Sequence, residues 1–270
     1  MIKVAILGAG TIGNVMARTI KAMNSNGDNT VQLYAVAARD ISRAEEFAQR
    51  YGIEKSYGSY QDLYEDPNVQ LVYIATPHNF HFEQAKACLL HGKNVLCEKP
   101  FTVNSKEAQE LFALAAQRKL LITEAIWTRY QPMRQIINET IKSGVIGSPK
   151  FLTANLSYMM MRKERLIRPE LAGGALLDVG IYPLNFALMI FGHPESIDGS
   201  CILSDAGVDI ADSITLMWPS SERMATLATA ATVVSDRYGI VQGTSGFMMV
   251  ENINNPQSIQ IFDKEYVYRH

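Results

Sequence analysis

Cysteine is scarce in this chain of 270 residues: Cys88, Cys97 and Cys201 are odd in number and form no C-x-x-C pair. That fits reduced thiols in a cytoplasm better than a disulfide framework. No metal cage is suggested either. Runs of like charge are missing, and the formal net charge is −2 with charged residues at 19%. Nucleic acid and anionic membranes are therefore not expected as partners. A clean apolar run long enough to span a bilayer is also lacking. The nearest, Ala175 to Gly192, contains Asp178, Gly180, Pro183 and Asn185 and reads as a buried core helix. The opening MIKVAILGAG meets glycine too soon for a secretory h-region, and neither repeats nor low-complexity tracts occur. What is present is 47% apolar sequence, an ordinary globular composition with enough length for two domains.

Short apolar runs alternate with helical periodicity along the first half. Val4 to Leu7, Leu33 to Ala38, Leu71 to Ala75 and Asn94 to Cys97 are each followed by a helical stretch, and Leu120 to Glu124 adds a further strand. This alternation predicts an α/β domain over 1–123, a doubly wound parallel sheet. Beyond it, helical patterns at Pro132 to Ser143 and Ala175 to Phe191 are joined by strand-like runs, four of them in succession after Ser213. An α+β domain with a mainly antiparallel sheet is expected over 124–270.

Gly8-Ala9-Gly10-Thr11-Ile12-Gly13 follows the first strand and opens a helix, the context in which G-x-G-x-x-G binds a dinucleotide. Gly8 permits the turn, Gly10 admits the pyrophosphate, Gly13 lets helix and strand approach, and the helix start at Thr11 and Ile12 offers N–H groups to phosphate. The second strand ends in Ala38-Arg39-Asp40. Arg39, with Arg43 one helical turn on, suits a 2′-phosphate and favours NADP over NAD, although Asp40 remains able to serve a ribose. The loop Ala75 to His81 leaves the third strand on the edge where such sheets bind ligands, which places Thr76, Asn79 and His81 among the candidate cofactor contacts. The next strand ends in VLCEKPF on the same edge. Lys99 there is a candidate to hydrogen-bond a substrate oxygen during hydride transfer, with Glu98 as its neighbour and Pro100 restricting the turn.

Together AILGAGTIG, VAARDISRAEEFA, ATPHNFH, VLCEKPF, EAIWTRYQP and GGALLDVGIYP resemble the glucose-fructose oxidoreductase, inositol dehydrogenase and rhizopine-catabolism family. Within it they are most similar to the branch of dimeric dihydrodiol and NADP-linked xylose dehydrogenases. The resemblance implies a Rossmann domain followed by a large, mainly antiparallel sheet, and an active-site Lys99 whose bond to Pro100 is often cis. It also implies a catalytic helix carrying Asp178 and Tyr182, the latter where many members have histidine. Four residues apart, Asp178 and Tyr182 share a helix face. A phenol with an unperturbed pKa of about 10 needs a neighbouring cation to exchange protons near neutrality, a role open to Lys99. Trp127 and Arg129 either line the substrate pocket and contact the cofactor, respectively, or serve packing between domains.

The expected function is NADP-dependent hydride transfer to or from a hydroxyl or carbonyl of a small cyclic polyol, sugar or trans-dihydrodiol. A cofactor sensor without turnover, or transient oxidation with tightly held cofactor, are the alternatives. Members of the family usually run further past a segment like Asn252 to His270, so a truncated second domain is expected, pairing its sheet in a homodimer with another copy.

Overall fold

The computed structural model describes residues 1–269; His270, whose capping bears on the expected truncation, lies outside them. The chain divides into two compact units, Met1–Ala125 and Ile126–His270. The boundary expected at 123/124 falls inside a strand, Ile122–Glu124, which completes the first sheet.

In the first unit the strands are β1 (Ile2–Leu7), β2 (Val31–Ala37), β3 (Lys55–Tyr57), β4 (Leu71–Ile74), β5 (Asn94–Cys97) and β6 (Ile122–Glu124). They pair in parallel in the order β3-β2-β1-β4-β5-β6. Val4 to Leu7 and Leu33 to Ala37 are buried without alternation, because helices cover both faces of a parallel sheet. The helices are α1 (Thr11–Ser25), α2 (Ile41–Tyr51), α3 (Tyr60–Glu65), α4 (His81–Leu90) and α5 (Ser105–Arg118). Two separate buried clusters, one containing Leu7, Leu63, Ile74 and Leu111 and the other Ile6, Ile20, Val36 and Phe47, are the two apolar layers of a doubly wound fold. Sequence periodicity had no hold on β3 or α3, which are only three and six residues long.

The second unit adds α6 (Pro132–Lys142), β7 (Pro149–Ser157), α7 (Glu164–Ile167), α8 (Ile181–Phe191), β8 (Ser196–Leu203), β9 (Asp209–Trp218), β10 (Arg223–Ala230), β11 (Gly239–Gly243), β12 (Gly246–Val250) and β13 (Ile259–Asp263). Its sheet runs β13-β12-β11-β7-β10-β9-β8, antiparallel except between β7 and β10. Alternate residues Leu152, Ala154 and Leu156, or Leu216 and Trp218, are buried on one face, where Ile137 of α6 and Phe186 of α8 join the same core. The other face leaves Phe151, Met217, Ile240, Phe247, Met249 and Phe262 half-buried.

Pro169–Phe191 is apolar and long enough by composition to cross a membrane, yet most of it is buried within the unit, as expected of a core helix. Its first part is not α-helical. Leu176–Gly180 forms a π-helical turn before α8 begins, an insertion that is rare and concentrates at functional sites.

Candidate active site

The first unit builds its candidate surface from backbone. Gly8 sits at φ +113°, a conformation that side chains resist, and turns β1 into α1. A Cβ on Gly13 would stand 2.3 Å from the Gly8 carbonyl oxygen, so α1 can only approach the strand without one. A Cβ on Gly10 would meet nothing within 4 Å. It would instead fill the space over the helix start, where no side chain caps the first N–H groups of Thr11, Ile12 and Gly13. Open space, uncapped donors and the positive end of a helix dipole fit a pyrophosphate. Asn79 Oδ1, in the short helical turn His78–Phe80 that follows β4, is buried with no hydrogen-bond donor among the described residues, an acceptor suited to the N–H or O–H groups of a dinucleotide.

Arg39 and Arg43 are exposed, and neither has an ion-pair or hydrogen-bond partner among the described residues. Both lie close enough to Tyr60 to pull its hydroxyl pKa down, against the larger upward push of burial. Asp40 is the N-cap of α2 and accepts from Ser42 N at 2.9 Å, which ties one of its oxygens to the helix start.

Four anchors hold the turn that carries Lys99. The Lys99–Pro100 bond is cis. Glu98 accepts the hydroxyl of Tyr73 through Oε1 and the Lys99 backbone N–H through Oε2 at 3.2 Å. Burial pushes the Glu98 carboxyl up while these two donors pull it down. Glu124 Oε1, at the end of β6, accepts from Phe101 N at 2.9 Å. His81 places Nδ1 at 2.8 Å from Pro100 O and Nε2 at 3.0 Å from Thr76 O. Burial lowers the His81 pKa and favours the neutral ring, which donates through one nitrogen only, so the ring, 1% exposed, stands as an internal strut between the two carbonyls and donates to one of them. Thr76 likewise directs its Oγ1 to Gln84 Oε1 at 2.5 Å.

The second unit builds with side chains. Asp178 is 4% exposed and its Oδ1 accepts from Arg165 Nη2 at 2.9 Å. Tyr182, one turn on and 7% exposed, accepts the indole N–H of Trp127 on its phenol oxygen at 3.0 Å. Next to Trp127, Thr128 Oγ1 accepts from Asn185 Nδ2 at 2.9 Å and Arg129 Nε donates to Asn185 Oδ1 at 2.6 Å. The short helix Trp127–Tyr130 is therefore latched along α8 by three consecutive side chains. An indole nitrogen is a donor only, so the phenol oxygen of Tyr182 is the acceptor in this pair.

Sequence reasoning overlooked several of these supports. Tyr73 and Glu124 could have been found by asking which residues close the strands beside E-K-P. Arg165, in the charged stretch RKERLIRPE, carries no periodic signal, and Asn185 looked like an interruption of an apolar helix.

A six-stranded parallel sheet with an open phosphate cradle, followed by a helix bearing a buried acid and a buried phenol, is the build of a nicotinamide-dinucleotide oxidoreductase. The particular family is settled by comparison. A model described as oxidoreductase family, NAD-binding Rossmann fold, matches residues 2–125, and the GFO/IDH/MocA C-terminal domain matches 134–249. The chain belongs to the Gfo/Idh/MocA family and is an NAD(P)-dependent oxidoreductase. It is 35% identical to the trans-1,2-dihydrobenzene-1,2-diol dehydrogenase of Xenopus tropicalis over 97% of this chain and 79% of that protein. The enzyme of that name from Homo sapiens is 40% identical over 82% of this chain and 66% of its own length. Among solved structures, an NAD binding oxidoreductase from Klebsiella pneumoniae superposes with a TM-score of 0.88 at 22% identity, over 99% of this chain and 78% of that one. KijD10, a 3-ketoreductase from Actinomadura kijaniata in complex with NADP and TDP-benzene, gives 0.87 at 24%, over 99% and 83%. These two likenesses are of fold.

Proposed function

We propose that the protein is an NADP-dependent dehydrogenase of a small cyclic diol or sugar, a trans-dihydrodiol being the leading substrate class. The observation that carries the reading is the Trp127 to Tyr182 hydrogen bond on the helix turn that also holds Asp178. In the oxidative direction Tyr182, as phenolate, takes the hydroxyl proton while the carbinol carbon loses hydride. Lys99 stabilises the alkoxide character of the oxygen through its ammonium, and Asp178, held by Arg165, orients the substrate. When bound, the nicotinamide ring supplies the hydride acceptor.

Gly8, Gly10, Thr11, Ile12 and Gly13 hold the pyrophosphate, with Thr76, Asn79 and Glu98 lining the same sheet edge. Arg39 and Arg43 pair with the 2′-phosphate, for which two unpaired guanidinium groups are suited. Trp127 presents an aromatic face to the ring of the substrate, and Arg129 supports the cofactor side from its bond to Asn185. The relatives named as dihydrodiol dehydrogenases, at 35% to 40% identity, support the substrate class. The half-buried apolar face with Phe151, Phe247 and Phe262 supports a homodimer formed through that sheet, and the reduced thiols fit a cytoplasmic protein.

The test is a turnover screen with NADP⁺ and with NAD⁺ against trans-dihydrodiols, aldoses and inositols. Preferential NADPH formation with a cyclic diol is expected. Turnover of none of these classes by a protein that binds NADP tightly would overturn the reading and leave a sensor.

A further inference from the structure

β9 carries two carboxylates three residues apart, Asp209 and Asp212. In a regular strand such residues face opposite ways. Here the register against β8 slips: Ile202 pairs with Ala211 and Leu203 with Asp209, leaving Ile210 unpaired. This β-bulge brings Asp209 and Asp212 to the same face of the strand, the buried one. Asp209 Oδ2 accepts the backbone N–H of Leu176 at 2.6 Å, the residue that opens the π-helical turn. The fit is close enough that a Cβ on Gly174 would stand 2.0 Å from Asp209 Oδ1, and Gly174 adopts φ +121° beneath it. Asp212 is 9% exposed, and no donor among the described residues reaches its Oδ2. Its contact is the Asp209 carboxyl.

We propose that Asp209 and Asp212 share one proton, and that this pair is a positioning device: it clamps the start of the turn that presents Asp178 and Tyr182. Two ionised carboxylates in contact repel, whereas one proton between them makes a hydrogen bond and leaves Asp209 a charged cap for Leu176. Few other groups face the pair. Opposite Asp212 stand Thr229 on β10, whose hydroxyl donates to Leu156 O at 2.7 Å, and Cys201 on β8. Asp178, on the π-helical turn packed against β9, is paired with Arg165, while Asp198 and Arg223 pair further along, opposite Thr215 and Trp218. Burial and the charge of Asp209 push the Asp212 carboxyl up to about 7, so the proton is held in weak acid and released in weak base.

The effect on turnover rests on the catalytic reading of Asp178 and Tyr182; the proton itself does not. Two measurements separate them. The first is hydrogen exchange at the Leu176 amide, corrected for the intrinsic pH dependence. Wild-type protection should fall severalfold as pH rises through about 7, and Asp212→Asn, whose amide can donate to Asp209 at any pH, should keep it. The second is the pH profile of kcat. Wild type should lose activity in the same interval, Asp212→Asn should lack that descending limb, and Asp209→Ala should lower kcat about tenfold with NADP affinity unchanged and with partial rescue by Asp209→Asn. A Leu176 amide indifferent to pH in the wild type overturns the shared proton, whatever the variants do. Full turnover by Tyr182→Phe would instead remove the catalytic reading and leave the exchange result standing.

Discussion

The two units hold their functional groups by different means. In Met1–Ala125 the working surfaces are made of main chain: a glycine turn, an uncapped helix start, and a turn after β5 pinned by bonds to the backbone N–H groups of Lys99 and Phe101 and to Pro100 O. In Ile126–His270 they are made of side chains held by side chains: Arg165 on Asp178, Trp127 on Tyr182, and Arg129 and Thr128 on Asn185. A backbone site is damaged by adding atoms, since a new Cβ occupies the space or forbids the φ angle. A side-chain site is damaged by removing them, since each deletion leaves a buried partner unsatisfied. The division matches the tasks proposed for the two units, because phosphates are bound alike by any set of N–H donors whereas proton transfer needs a particular acid.

Removing the reacting groups should have the largest effect. Lys99→Met and Tyr182→Phe are each expected to lower kcat about a hundredfold or more with NADP affinity changed less than a few-fold, as steady-state rates and calorimetry would establish. Near-normal turnover by either variant would take that residue out of the mechanism.

Adding one methyl group to the first unit tests the other half of the contrast. Gly10→Ala meets nothing in the protein, so its melting temperature should stay within about 2 °C of wild type while NADP affinity drops at least about tenfold, as a blocked phosphate cradle requires. Retained affinity would mean the cradle is not where the pyrophosphate lies. Arg39→Ala should weaken NADP by about 2 kcal/mol and leave NAD nearly unchanged, because only the 2′-phosphate loses a charge-assisted partner. Equal losses for both cofactors would move the arginine to another role.

Trp127→Phe sharpens the comparison from the side-chain half: the ring remains and only the N–H is lost. A fall in kcat of about tenfold is expected, the worth of one hydrogen bond to a charged oxygen. An unchanged rate would make the bond structural.

The smallest effect concerns stability. A carboxyl whose folded pKa lies above its unfolded value binds its proton more tightly when folded, so it favours folding in acid. That contribution declines as pH rises from about 4 to about 7, where Asp212 ionises, and is absent above. Asp212→Asn should therefore flatten the melting temperature over that interval and raise it at pH 8 by a few degrees, roughly the shift of 1 kcal/mol in a domain of this size. A melting curve at pH 8 that does not move would show that the buried charge is relieved by other means.

Most of the first unit was legible from residues in order. The runs 4–7, 33–37 and 71–74 are unbroken apolar stretches ahead of helices, and Gly8 and Gly13 declared the turn because only glycine meets its steric demands. The second unit was legible in outline only. β8 has all eight residues exposed and so shows no alternation, and β13 is a strand of only five residues with a mixed burial pattern. His81 illustrates the limit within the first unit. Its place in a loop on the ligand edge suggested cofactor binding, but the fold turned the ring inward between two carbonyls.

Sequence alone determined the two-part architecture and the dinucleotide fold, and marked Lys99, Asp178 and Tyr182 as candidates, because local periodicity and short motifs depend on neighbours along the chain. Tertiary structure alone decided what those residues touch. Arg165 reaches Asp178 across 13 positions, Trp127 reaches Tyr182 across 55 and Asp209 reaches the Leu176 amide across 33. Contacts at such separations follow from strand register, a bulge at Ile210 and a π-helical turn, which packing sets only when the whole sheet has formed.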